Sequence, residues 1–145
     1  KSIENHYSKA KFFKKYWDDF ESIYDSKFEN LLDLNMKFIE KIMDILEINT
    51  KTMFSTELET HSTGSDRILE ICENLNADTY ISGKFGKEYL NLKDFEESSI
   101  KVKLQSFKIS QYTQCYSPFT DTVSAIDLIF NEGPNSSIIL KNSLN

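Results

Sequence analysis

Between Ser8 and Tyr24 the apolar side chains Ala10, Phe13, Trp17, Phe20 and Tyr24 recur at three- and four-residue steps, the spacing of one helix face. A second helical stripe runs from Phe28 to Ile48. Leu31, Leu32, Phe38, Ile39, Ile42, Ile45 and Leu46 form its apolar side, and Lys37, Glu40, Lys41 and Asp44 face water. Asp25 and Ser26 offer oxygens to cap its first amides, and the short link predicts an antiparallel pair. The period changes at Thr50. Thr52–Thr56 is partly β-branched and aromatic and reads as a strand, and Glu59 to Gly64 make a polar loop. Ser65 caps a helix striped by Ile68, Leu69, Ile71, Cys72 and Leu75 and ending at Asn76.

Thr79–Ser82 reads as the next strand, stopped by Gly83 and followed by a short helix from Lys87 to Leu90. Ile100 to Leu104 alternates like a strand with one wet face. A last helix from Val123 to Asn131 is closed by Glu132, Gly133 and Pro134, and Ser136 to Leu140 forms either a final strand or a tail. Strands separated by helices predict an α/β fold, a small, mostly parallel sheet with helices packed on it, preceded by an N-terminal helical pair. Three or four strands would resemble half of a doubly wound fold. The expected organisation is a single domain over 1–145, with the helical pair in 1–48 and the α/β portion in 49–145.

At 145 residues and 39% hydrophobic, the chain is long enough for one core without a second domain. A net charge of −6 argues against a reader of phosphate backbones, which needs clustered Lys and Arg. No run approaches the roughly 20 apolar residues that span a bilayer, so no membrane is expected. Cys72 and Cys115 are too few for a disulfide scaffold, which fits a cytoplasmic location. His6 and His61 lie apart without zinc-ligand spacing, so no metal is expected, and no motif names a cofactor. The first residue is Lys1, which is compatible with a piece of a longer protein.

Candidate chemistry gathers at three polar corners. Ser82 and Gly83 end a strand before a helix, where α/β sheets bind ligands and free amides hold anions, although a turn glycine beside a capping serine has the same text. Lys84 and Lys87 add positive charge there. Asp66 and Arg67 open a helix; the aspartate suits its positive end. The chain's one arginine could fork onto a carboxylate or phosphate, or pair within the protein. Tyr112 and Gln114 stand two apart in a loop crowded with Tyr116 and Phe119, so an extended backbone would turn both to one side, toward a ligand or into packing. Ser65 and Asp66, like Ser124 and Asp127, read as helix-capping or ligand-binding groups. Cys115 has no base beside it in sequence, and catalytic residues stay unassigned.

Ser65-Asp66-Arg67, the strand end Tyr80-Ile81-Ser82-Gly83, Tyr89-Leu90, the loop Tyr112-Thr113-Gln114 and the run from Ser124 to Gly133 occur together in this order. In that combination the chain resembles the WbqC-like protein family, with the closing run as the most specific piece. The resemblance implies a cytoplasmic bacterial or archaeal protein, associated with polysaccharide or O-antigen sugar biosynthesis, with aminoacyl or acyl transfer to an amino sugar among the suggested reactions. Family members open with a motif of the type His-Gln-Pro-x-Tyr-x-Pro-Trp, which has no match here, so the chain is expected to correspond to a C-terminal portion. Gln111 stands where the family often has histidine.

The resemblance implies a transferase when whole, and a sugar nucleotide or other anionic small molecule bound through Arg67, Ser82, Gly83, Tyr112 and Gln114. Two alternatives stay open. One is a non-catalytic interaction or scaffold module, forming a homo-oligomer or associating through the aromatic helix face of Phe13, Trp17 and Phe20. The other is a nucleotide-binding enzyme fragment, because half of a doubly wound sheet suits nucleotides.

Overall fold

A computed structural model describes residues 1–143 of the chain. In order, its elements are α1 (Ser2–Tyr7), α2 (Phe13–Asp25), α3 (Leu31–Ile45), α4 (Gly64–Asn74), β1 (Thr79–Ser82), α5 (Leu92–Glu97), β2 (Lys101–Leu104), α6 (Ala125–Glu132) and α7 (Ser136–Asn142). The mixed α/β class with helices at the front is as expected. Residues 1–50 and 108–143 form one compact unit, and residues 51–107 form another. The closing stretch, grouped above with the strands of 49–145, therefore packs with the first three helices.

The helical unit is built on aromatics. Phe13, Tyr16 and Phe20 of α2 are buried with Leu46, Ile129 and Phe130. Phe130 is fully buried, and its ring centroid lies 5.1 Å from Phe13 and 5.5 Å from both Tyr7 and Phe20. The pairs with Phe13 and Phe20 are edge-on, and such aromatic pairs add to the burial of apolar area. Of the aromatic face of α2, Phe13 and Phe20 are buried within the unit, and half-buried Trp17 stacks on Phe13.

Several sequence expectations are corrected here. The helix predicted from Ser8 begins only at Phe13, after a link in which the Phe12 amide donates to the Phe130 carbonyl at 2.8 Å. Of the predicted stripe of α3, Phe38, Ile42 and Ile45 pack inward, whereas Leu31, Leu32 and Ile39 are exposed. Its cap is Asn30, whose Oδ1 accepts from the Asp33 amide at 2.9 Å; Ser26 donates backward to Ser22. Ser136 to Leu140 lies in a helix, in which buried Ser136 donates to the Leu128 carbonyl. The predicted stop at Gly133 holds: its φ of +53° suits glycine, and a Cβ there would meet the Phe12 ring at 2.5 Å.

In the other unit β1 and β2 pair in parallel, with Thr79 opposite Lys101 and Ser82 opposite Leu104. Parallel neighbours need a crossover, which α5 supplies. Phe95, Ile100, Leu90 and Cys72 are the buried centre. Among the described residues the sheet has two strands rather than three or four. The strand predicted at 52–56 is instead a chain that enters a turn at Ser55–Glu57, where the Glu57 carboxylate accepts from the Phe54 amide at 2.9 Å. That side-chain acceptor gives the backbone an alternative to a ladder. No described helix is long and apolar enough to cross a membrane.

Candidate functional site

The polar loop of residues 111–124 rests on α6, and a buried carboxylate is the reason. Asp127 is 6% exposed, and its Oδ1 accepts from the Tyr112 hydroxyl at 2.7 Å and from Gln114 Nε2 at 3.0 Å. A buried acid without donors would cost several kcal/mol, so these bonds hold the loop in place. Gln114 is also clamped to Thr120: its Nε2 donates to the Thr120 carbonyl at 2.9 Å, and its Oε1 accepts the Thr120 amide at 2.8 Å. Phe119 packs edge-on against Tyr112 at 5.3 Å. Tyr112 and Gln114 do turn the same way, inward onto Asp127.

This corrects the capping reading of Ser124 and Asp127. Ser124 sits at the N-cap of α6, but its side chain makes no capping bond. Asp127, in the first turn of the helix, spends its carboxylate on the loop. Asn131 follows on the same face, 8% exposed, donating to the Asp127 carbonyl at 2.8 Å and accepting the Cys115 thiol at 3.4 Å.

Burial and then the Asp127 carboxylate push the Tyr7 phenol up to about 12. Tyr112 is raised in the same direction, first by burial and then by its bond to Asp127. Burial and Asp127 also raise the Cys115 thiol, against an opposing pull from Lys9. At neutral pH these three groups are therefore protonated, and Cys115 is poorly disposed to act as a nucleophile.

Beside this network lies a cleft of about 380 Å³. Three stretches wall it: Lys9 to Lys11, Thr113 to Cys115, and Asn131 with Glu132. The Phe12–Phe130 backbone bond and the close approach of Phe12 to Gly133 hold the first stretch against the end of α6. Glu132 Oε1 accepts from the Thr113 amide at 3.2 Å. Lys9 and Lys11 were not singled out from sequence, and Glu132 was read only as part of the helix stop. The lysines give no signal among the chain's many others, but Glu132 does: a carboxylate at the negative end of a helix is unfavourable, which marks a group held there by something else.

The other candidates belong to the α/β unit. Ser82 is 2% exposed, with its hydroxyl 3.3 Å from that of Tyr89. Gly83 is exposed, and its carbonyl accepts from the Gly86 amide. Arg67 is exposed and makes no ion pair among the described residues. Asp66 lies in the first turn of α4, exposed. Ser65 does not cap that helix; its hydroxyl accepts the Asn91 amide at 2.9 Å, fastening α4 to the start of α5. A larger hollow of about 500 Å³ beside β2 is walled mainly by Leu92, Ile100 and Val102 and includes none of the candidates. No cluster of His, Cys, Asp and Glu suited to a metal occurs among the described residues.

A model of the WbqC-like protein family matches residues 1–139. The chain belongs to the WbqC-like protein family. Over 143 residues this WbqC-like chain is 29% identical to the uncharacterized protein Rv1507c of Mycobacterium tuberculosis. That alignment covers 97% of the chain but 62% of the mycobacterial protein, so the chain spans less than two thirds of its relative's length. No solved structure matches. The run from Ser124 to Gly133 that carried the resemblance is α6 with its glycine stop, so it includes Asp127 and Asn131 of the network and Glu132 of the cleft.

Proposed function

We propose that this WbqC-like chain supplies a small-molecule site to a protein of polysaccharide or O-antigen sugar biosynthesis, and that its ligand is an anionic, sugar-containing molecule. The observation that carries this reading is the Tyr112–Gln114–Asp127 network, which fixes one wall of a cleft bearing two lysines, an amide and a carboxylate. Clefts with a few fixed polar groups are where proteins bind small molecules. Family membership supports the sugar context. Transfer of an aminoacyl or acyl group to an amino sugar would then belong to a longer protein that includes this chain, which covers 62% of its mycobacterial relative. In this reading Tyr112 and Gln114 position the wall, and Arg67, Ser82 and Gly83 are a separate candidate contact.

The test is a titration of the chain with uridine diphosphate N-acetylglucosamine, followed by backbone amide shifts. Shifts at Thr113 to Cys115, or around Arg67 and Ser82, support the reading. A spectrum that stays unchanged at millimolar ligand rejects it.

A further inference from the structure

We propose that the cleft takes a phosphorylated ligand of monosaccharide size, with the ammonium groups of Lys9 and Lys11 on the phosphate and the Glu132 carboxylate on sugar hydroxyls. This assignment rests on the reading that the helical unit holds a sugar-derived ligand, and it fixes the subsite.

Volume comes first. Small-molecule pockets run from about 300 to 1,000 Å³, and this cleft of about 380 Å³ sits near the lower end. It has room for one sugar and its phosphate. Charge comes next. In a chain with 17 basic and 23 acidic residues, Lys9 and Lys11 both wall the same cleft, and neither is in an ion pair among the described residues. Their backbone is fixed, since buried Ala10 lies between them with its amide on the Tyr7 carbonyl at 2.8 Å. The Lys11 ammonium rests 5.0 Å from the Phe12 ring centroid, on the ring that packs against Gly133. Two lysines at one wall act as point charges for a phosphate.

The remaining polar groups divide by what is left unpaired. Both protons of the Gln114 amide are engaged by Thr120 and Asp127, and Asn131 is tied to Asp127 and Cys115. Glu132 differs: only its Oε1 takes the Thr113 amide, so Oε2 is available to accept from hydroxyls. Cations on one wall and a carboxylate at the helix end give the ligand a direction, phosphate toward residues 9–11 and sugar toward α6.

Glucose 1-phosphate, glucose, inorganic phosphate and uridine monophosphate, each titrated into the chain at low salt, test the assignment. Glucose 1-phosphate is expected to shift the amides of residues 9–11 and 113–115 and to bind at least 10-fold more tightly than glucose or phosphate alone. The double substitution Lys9→Ala with Lys11→Ala should weaken it 10-fold or more and flatten its salt dependence. Glu132→Gln should weaken glucose 1-phosphate and leave phosphate unchanged. Equal binding of inorganic phosphate, tighter binding of uridine monophosphate, or silence in both segments overturns the assignment. Because the lysines are exposed, an unchanged far-ultraviolet circular dichroism spectrum will show that the double variant is folded. Shifts by the sugar nucleotide confined to Arg67 and Ser82 would sink the cleft assignment while leaving the wider reading intact.

Discussion

The helical unit and the α/β unit treat polar residues in opposite ways. In the first, a carboxylate is buried on α6 and surrounded by a phenol, two amides and a thiol, all hydrogen-bonded through a connected set. In the second, the polar residues at the strand end are a buried serine against one tyrosine hydroxyl and an exposed glycine, with the arginine exposed elsewhere. The rule that ligands gather at the ends of parallel strands directs attention to the second unit. Organised chemistry sits in the first, because a buried acid forces its neighbours into fixed positions, whereas an exposed side chain is under no such obligation.

The largest expected effect sharpens the difference between the two cores. Phe130→Ala removes a ring packed on three others and should cost about 3–5 kcal/mol, as Phe95→Ala should in its own smaller core. Hydrogen exchange resolves the two. Phe95→Ala is expected to release amides of residues 64–104 first, and Phe130→Ala those of α2 and α6. Loss of protection across the whole chain from either substitution would make the units one cooperative body.

Asp127→Ala comes next. It strands the Tyr112 hydroxyl and a Gln114 proton in a part-buried setting, at a cost of about 2–4 kcal/mol by denaturant unfolding. Ser82→Ala in the other unit removes one long bond to Tyr89 and should cost about 1 kcal/mol or less. Equal costs would erase the distinction between a network and a lone pair.

How much of this was legible follows the same line. Thr79–Ser82 was found to the residue, and α6 with its stop at Gly133 to within two residues, because turn glycines and a clear change of period leave marks in sequence. The interior of the site was not legible. Asp127 reads as a cap by spacing, and only the fold brings Tyr112 and Gln114 onto it across 13 or more residues. Likewise Leu31, Leu32 and Ile39 obey the helical period yet face outward, since periodicity defines a stripe without saying which part of it finds a partner.

Alkaline pH should weaken the helical unit more gently. The Tyr7 phenol is raised from 10 to about 12 in the folded chain, so the fold favours its neutral form. That contribution is whole below pH 10 and is lost as pH rises from 10 toward 12, with Tyr112 acting in the same direction. Unfolding midpoints taken at pH 9 and pH 11.5 should therefore fall, and the fall should be smaller in the Tyr7→Phe, Tyr112→Phe double variant. An equal fall in both would mean that lysine deprotonation, not the phenols beside Asp127, governs the loss.

The smallest effect discriminates between two helix starts. Asn30 and Ser124 both stand at N-caps with extended backbone, but only Asn30 takes an amide of its helix, that of Asp33, on its side chain. Asn30→Ala should cost about 1 kcal/mol, the usual worth of a cap. Ser124→Ala should stay within about 0.5 kcal/mol of the parent, because its hydroxyl caps nothing and α6 is held instead by Asp127 and the aromatic core. A full cap-sized loss at Ser124 would restore it to the role its spacing suggests and would shift part of the α6 anchorage from the buried acid to the helix end.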